Sequence, residues 1–151
     1  MNLLFDTNIL LNLGKSKGAK QALKIINADN KKIFASVATM GELKSLVLQN
    51  NWGARRLQSL DDLLVDIVVV DINENMMGTY AEIDAFSQRR NPRIVDHPFA
   101  TPRNMGKNDL WIAATASLLG LKLVTTDADF NHLHEIFIEV QVLKPELFKL
   151  N

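Results

Sequence analysis

The chain has 151 residues, is 47% apolar and 23% charged, and balances 17 Lys plus Arg against 17 Asp plus Glu. This is the composition of an ordinary soluble globular protein, long enough for one domain spanning residues 1–151 with a sizeable core. The absence of cysteine excludes disulfides, thiolate nucleophiles and Cys-ligated zinc, and zero net charge excludes an overall basic nucleic-acid binder while leaving room for a local basic rim. No apolar run approaches the ~20 residues of a membrane span. The N-terminus shows no basic segment leading into an apolar signal core, so the expected location is cytoplasmic, with no membrane partner.

Leu3-Leu4-Phe5 is an uninterrupted apolar run that stops on Asp6, as expected of a strand buried on both faces of a parallel sheet. Ile9–Leu13 reads as a short helix stopped by Gly14, and Gly18–Asn27 as a second helix with Ala19, Ala22, Leu23 and Ile26 on one stripe. Ile33-Phe34-Ala35 is a second strand. Ser36–Thr39 opens a third helix, with Leu43, Leu46 and Val47 inward and Asn50-Asn51 at its end. Ala54–Leu64 is a fourth helix with Leu57, Leu60 and Leu64 inward, followed by the β-branched strand Ile67–Val70. Asn73 caps a helix that carries Met77, Tyr80, Ile83 and Phe86 and ends at Arg89-Arg90. Residues 91–105 hold Pro92, Pro98 and Pro102 and have no period; so long an irregular stretch is often functional. Asn108 caps a helix over Asp109–Leu119 with Gly120 as its stop, and the strands Leu121–Thr125 and Ile136–Val142 close the chain. Strands alternating with helices predict an α/β fold, a mostly parallel sheet with helices on both faces.

Four acids fall where strands end or helices begin. Asp6 and Asp127 follow strands, Glu42 lies in the first turn of the third helix, and Asp109 opens a later helix. In such a sheet these positions share the edge where ligands gather. Asp109 is the least direct, because a long loop feeds its helix. Each acid also fits a structural role. Asp6 is good capping chemistry, Thr39-Met40-Gly41-Glu42 matches a capping box, Asn108-Asp109 is a cap plus a first-turn charge, and Thr126-Asp127-Ala128-Asp129 fits a turn. Only the four together favour chemistry. Clustered carboxylates repel, and helix dipoles offset roughly 0.3–1 kcal/mol each. A hard divalent cation, Mg²⁺ or Mn²⁺, is the stronger remedy, and one that can promote displacement at phosphorus.

These residues carry a resemblance. Leu3–Leu10, Ser36–Leu43, Asn108–Ala116 and Leu123–Phe130 resemble, in order, the four blocks of the PIN-domain family, and the length and layout are similar to VapC-type toxins of toxin–antitoxin systems. The resemblance implies a three-layer α/β/α sandwich and a metal-dependent endoribonuclease that leaves a 5′-phosphate and a 3′-hydroxyl. It implies that Asp6, Glu42, Asp109 and Asp127 bind one or two Mg²⁺ or Mn²⁺, with Asp129 assisting or replacing Asp127, and that Asn8 and Thr125 support them. It also implies a homodimer, structured RNA such as tRNA or rRNA as substrate, and a cognate antitoxin that covers the site.

The segment 91–105 is longer than the link the family leads one to expect. It could shape RNA access, alter dimerisation or be inert, and His97 beside Asp96 reads as a loop histidine rather than a metal ligand. Candidate phosphate contacts are Lys15, Lys17, Arg89, Arg90, Arg93, Arg103 and Lys107. Met76, Met77 and Trp52 are candidate stacking platforms, whereas Trp111, two positions after Asp109, points away from it on a helix. Three rivals stand beside the toxin nuclease: a PIN-type nuclease in RNA processing or on DNA, a non-catalytic PIN-fold binding module, and a carboxylate-metal phosphatase. The last would want an Asp-x-Asp pair where this chain has Asp6-Thr7-Asn8.

Overall fold

The computed structural model describes residues 1–149. Its centre is a five-stranded sheet of β1 (Leu3–Phe5), β2 (Ile33–Ser36), β3 (Ile67–Val70), β4 (Lys122–Thr125) and β5 (Glu139–Val142). Every pairing is parallel and the order is β3-β2-β1-β4-β5. Leu3 is in register with Ile33 on one side and Lys122 on the other. The helices are α1 (Thr7–Lys15), α2 (Ala19–Ile26), α3 (Val37–Gln49), α4 (Ala54–Leu64), α5 (Met77–Ser87) and α6 (Lys107–Leu119). None is long and apolar enough to cross a membrane.

Strand alternation divides the core in two. Leu3 and Phe5 face a cluster with Ile9, Leu10, Leu13, Ala22, Trp52 and Leu60, while Leu4 faces Ile83, Phe86, Leu110, Ala113 and Phe130. Helices therefore cover both faces, as the three-layer expectation requires. Leu4 is fully buried, and Leu4→Ala would cost about 2–5 kcal/mol by transfer plus cavity.

The chain builds outward from β1 through β2 to β3, then returns to lay β4 on the other side of β1. The order thus reverses between β1 and β4, and the crevice at their carboxyl ends is the switch point where an α/β sheet receives ligands. Helix α6 ends at Gly120, whose left-handed φ of 64° makes it the expected stop, and β4 starts two residues later. A helix that feeds a strand so abruptly runs antiparallel to it, so the amino end of α6 lies at the carboxyl edge of the sheet. Helix α5 runs antiparallel to α6: Met76 meets Thr115 at 3.5 Å, Tyr80 meets Trp111 at 4.4 Å between ring centroids, and Ser87 meets Met105 at 3.5 Å. The irregular segment joining them is therefore at the carboxyl edge too.

Several boundaries differ from the sequence expectation. Helix α1 continues through Gly14 to Lys15, because that glycine admits the Trp52 ring; a Cβ there would come within 3.0 Å of it. Met76 and Trp52 are buried core residues, not stacking platforms, and Met77 and Leu57 are exposed rather than inward. A turn of 3-10 helix, Glu74–Met76, precedes α5 and sets this phase; Asn73 caps it, as expected of that residue. Trp111 packs on Tyr80. The last strand is Glu139–Val142, shorter than expected, because the backbone of 135–138 turns back on Leu133.

Candidate active site

Asp6 leaves β1 and caps α1: its Oδ1 accepts from the Ile9 amide at 3.1 Å. Its other oxygen accepts from the Thr125 hydroxyl at the end of β4, and Thr125 Oγ1 accepts from the Asp127 amide at 2.9 Å. Asp127 in turn caps a 3-10 turn over Ala128–Leu133, accepting from the Asp129 amide at 2.9 Å. A continuous chain of hydrogen bonds thus ties the ends of β1 and β4 across the switch point. Asn8, whose backbone also stabilises the Asp6 carboxylate, is exposed.

Asp6 is 4% exposed. Burial pushes its pKa up to about 6, against the opposing pull of Thr125 and the Ile9 amide, and the Asp127 charge adds to the rise. Asp109 is also pushed up to about 6, by burial first and then by the charges of Asp127, Glu42, Asp6 and Asp129. Carboxylates separated by scores of residues therefore act on one another. Asp6, Asp109 and Asp127 lie at helix amino ends, whose dipoles offset roughly 0.3–1 kcal/mol each. That is too little for a desolvated group with charged neighbours of its own sign.

Two local readings are corrected. Glu42 lies in the second turn of α3, not the first. The N-cap is Ser36, which accepts from the Ala38 amide at 3.1 Å, so no capping box forms between Thr39 and Glu42. Likewise α6 begins at Lys107 after the N-cap Gly106; Asn108 is not the cap, and Asp109 is the third helical residue, still in the first turn. Neither Glu42 nor Asp109 opens its helix, and Glu42 has lost its capping explanation.

Among the described residues no three His, Cys, Asp or Glu side chains form a ready-made metal cage. The donor set nevertheless suits a hard divalent cation: it is all carboxylate oxygen, and Asp6 and Asp109 are raised in pKa by burial first and then by neighbouring carboxylates. Asp6, Glu42, Asp109 and Asp127 are the side chains that could hold one, with exposed Asp129 beside them.

The basic candidates separate. Lys15 ends α1 and Lys17 follows just beyond it, at the amino edge of the sheet. There they line a cleft of about 870 Å³ with Lys20, Arg55, Arg56 and the first residues of β2 and β3. Arg89, Arg90, Arg93, Arg103 and Lys107 are exposed at the carboxyl edge with the acids. Some also hold the 91–105 segment. Arg93 pairs with Glu82, Arg89 donates to the Ala100 carbonyl, and the Arg103 amide donates to the Ser87 carbonyl at 2.7 Å.

One feature escapes sequence reasoning. Buried Ser87 hydrogen-bonds His132 Nε2 at 2.8 Å, and Phe99 packs edge-on against both Phe86 and His132. Burial, then the Arg103 charge, lowers the His132 pKa to about 4, so the ring is neutral where the fold operates. Ser87 and His132 are 45 residues apart, and nothing local marks them as partners. His97 is half-buried and stacked on Phe86 at 5.3 Å, so it belongs to this packing rather than to the acids.

A family model described as PIN domain matches residues 3–136. No curated protein matches. Among solved structures, VapBC2 from Rickettsia felis, bound to a DNA fragment from its promoter, is 20% identical with a TM-score of 0.70, covering 94% of this chain and 98% of that one. VapBC-1 from nontypeable Haemophilus influenzae is 22% identical with a TM-score of 0.69 over 94% and 98%. VapC20 of Mycobacterium tuberculosis, a toxin that cleaves the sarcin-ricin loop, is 17% identical with a TM-score of 0.60 over 93% and 99%.

Proposed function

Because the chain belongs to the PIN-domain family, we propose that it is a divalent-metal-dependent endoribonuclease, the toxin of a toxin–antitoxin pair, folded as one domain. The observation that carries this is the pair Asp6 and Asp109, both pushed up to about 6 at the sheet's switch point, with carboxylates among the charges that raise them. Structural caps do not need that arrangement. Selection for stability alone would replace Asp6 by Asn or Ser, which cap equally well.

Asp6, Glu42, Asp109 and Asp127 are read as the residues that hold Mg²⁺ or Mn²⁺, with Asp129 as auxiliary. When bound, such an ion neutralises charge on the phosphodiester and acidifies water for in-line attack at phosphorus. The chain's own residues do the rest. The Thr125 hydroxyl fixes one oxygen of Asp6 and the Ile9 amide fixes the other, so that carboxylate is held in one orientation. Asn8 is read as a further support at the mouth of the site. Arg90 and Lys107 lie at the same edge to take flanking phosphates, with Arg89, Arg93 and Arg103 both steering RNA and holding the 91–105 segment.

A similar solved structure named as a toxin–antitoxin complex from Klebsiella pneumoniae, 23% identical with a TM-score of 0.61 over 95% of this chain and 98% of that one, supports an antitoxin as partner. A cytoplasmic homodimer is the form expected with it. A nuclease acting outside such a pair is the second reading, which a missing antitoxin reading frame beside the gene would favour. The test is cleavage of labelled total RNA with Mg²⁺, with Mn²⁺ and with chelator, by wild type and Asp109→Asn. Metal-dependent discrete products that the substitution abolishes are expected. Absence of cutting together with absence of metal binding would move the protein to the binding-module class.

A further inference from the structure

Two buried hydroxyls among the described residues have no hydrogen-bond partner, Thr7 Oγ1 and Thr39 Oγ1. Each belongs to a helix that begins at the carboxyl edge and carries or adjoins one of the acids. Thr39 is the more informative, because it is fully buried. A threonine within a helix commonly satisfies its hydroxyl on a carbonyl three or four residues back. Thr39 does not, and a valine of the same shape would have filled the space without burying an unpaired polar atom.

Its position says what the hydroxyl is for. Glu42 follows Thr39 by three residues, so the two side chains share a face of α3. Fully buried Leu43, four residues after Thr39, turns that face inward. Helix α3 packs against both α1 and α6, the helices that Asp6 caps and that carry Asp109, and the Glu42 charge reaches Asp109. Glu42 itself is half-buried.

We propose that Thr39 is a positioning residue for Glu42: its hydroxyl donates to the Glu42 carboxylate once a divalent cation draws that side chain in among the acids. The inference rests on the reading of the four acids as a cation site. In the cation-free protein the hydroxyl waits unpaired, and the capping-box spacing Thr39-Met40-Gly41-Glu42, which caps nothing here, serves to set one side chain above the other.

The test is Mn²⁺ titration calorimetry on the whole protein for wild type, Thr39→Val, Thr39→Ser and Thr39→Ala, each also in a Glu42→Gln background, with thermal melts in chelator. Thr39→Val should melt at or above the wild-type temperature without metal, yet bind Mn²⁺ about tenfold more weakly, as loss of a hydrogen bond to a charged acceptor implies. Thr39→Ala should lose affinity alike, and Thr39→Ser should restore it. In the Glu42→Gln background Thr39→Val should change Mn²⁺ affinity no further. Unchanged affinity of Thr39→Val, or an equal loss with Glu42→Gln present, overturns the proposal while leaving the metal site standing. A wild-type protein that does not bind Mn²⁺ overturns the metal reading itself, and this one with it.

Discussion

The two edges of the sheet handle charge in opposite ways. At the amino edge, Lys15, Lys17, Lys20, Arg55 and Arg56 share a cleft with Asp62 and Asp66, so both signs meet. Most of its charged residues are exposed, and solvated charges of mixed sign cost the fold little. At the carboxyl edge the acids gather inside a rim of exposed basic residues, and two of them, Asp6 and Asp109, are partly dried out beside charges of their own sign. The first arrangement is one a folded protein falls into at no expense. The second costs stability that a bound cation would relieve, which is why the acidic edge and not the basic cleft is read as the seat of chemistry.

The largest break in that contrast should come from Asp109→Asn. Loss of one ligand removes several kcal/mol of charge stabilisation, so RNA cleavage should fall about a hundredfold or more, read in a cleavage assay, with the circular dichroism spectrum unchanged. Thr125→Val should come next. It cuts the link between Asp6 and the Asp127 amide, and removing a supporting hydrogen bond of this kind costs about 10–100-fold in metal affinity or activity. Arg90→Ala with Lys107→Ala should weaken RNA binding and reduce the salt slope by about 1 for each phosphate no longer held, measured by filter binding across ionic strengths. Lys15→Ala with Lys17→Ala, at the other edge, should leave cleavage within about twofold, since phosphates engaged by the acids are out of their reach; a large loss would erase the distinction between the edges.

The smallest effect concerns stability. A carboxyl whose folded pKa is about 6 binds protons more tightly folded than unfolded, so the metal-free fold loses stability as pH rises from about 4 to 6 and carries the full cost above it. Asp6→Asn keeps a good cap and removes that cost. In chelator it should be more stable than wild type by about 1–2 kcal/mol at neutral pH, with the gap closing as pH falls toward 4. His132 acts in the other direction. Its folded pKa of about 4 means stability is lost as pH falls from about 6.5. Only the difference between variant and wild type isolates the aspartate in denaturant melts.

Much of this was legible in the chain. The apolar run Leu3-Leu4-Phe5 and the β-branched Ile67–Val70 are strands, Gly120 is a stop, and Asp6, Glu42, Asp109 and Asp127 can be picked out by where they fall. Asp109 was the acid whose place was hardest to see, because the helix direction that brings it to the carboxyl edge follows from β4 behind it and not from the loop before it. Capping was misread at Thr39 and Asn108, since Ser36 and Gly106 cap one turn or less earlier and local patterns do not choose between neighbouring starts. Gly14 reads as a stop only until Trp52, distant in sequence, is seen to need the space. The Ser87–His132 bond and the packing of Phe99 are tertiary and leave no periodic trace.

If burial and mutual repulsion prepare these acids for a divalent cation, their protons must report it. The most direct test is carbon-13 NMR titration of the Asp6 and Asp109 side-chain carboxyls, assigned by Asn substitution, without metal and with saturating Mg²⁺. Both should titrate near 6 in chelator, and both should fall by a unit or more when Mg²⁺ is present, because a ligating carboxylate must be ionised. Titration near the ordinary aspartate value of about 3.9, unmoved by Mg²⁺, would contradict it and leave Asp6 as a helix cap and Asp109 as a first-turn charge.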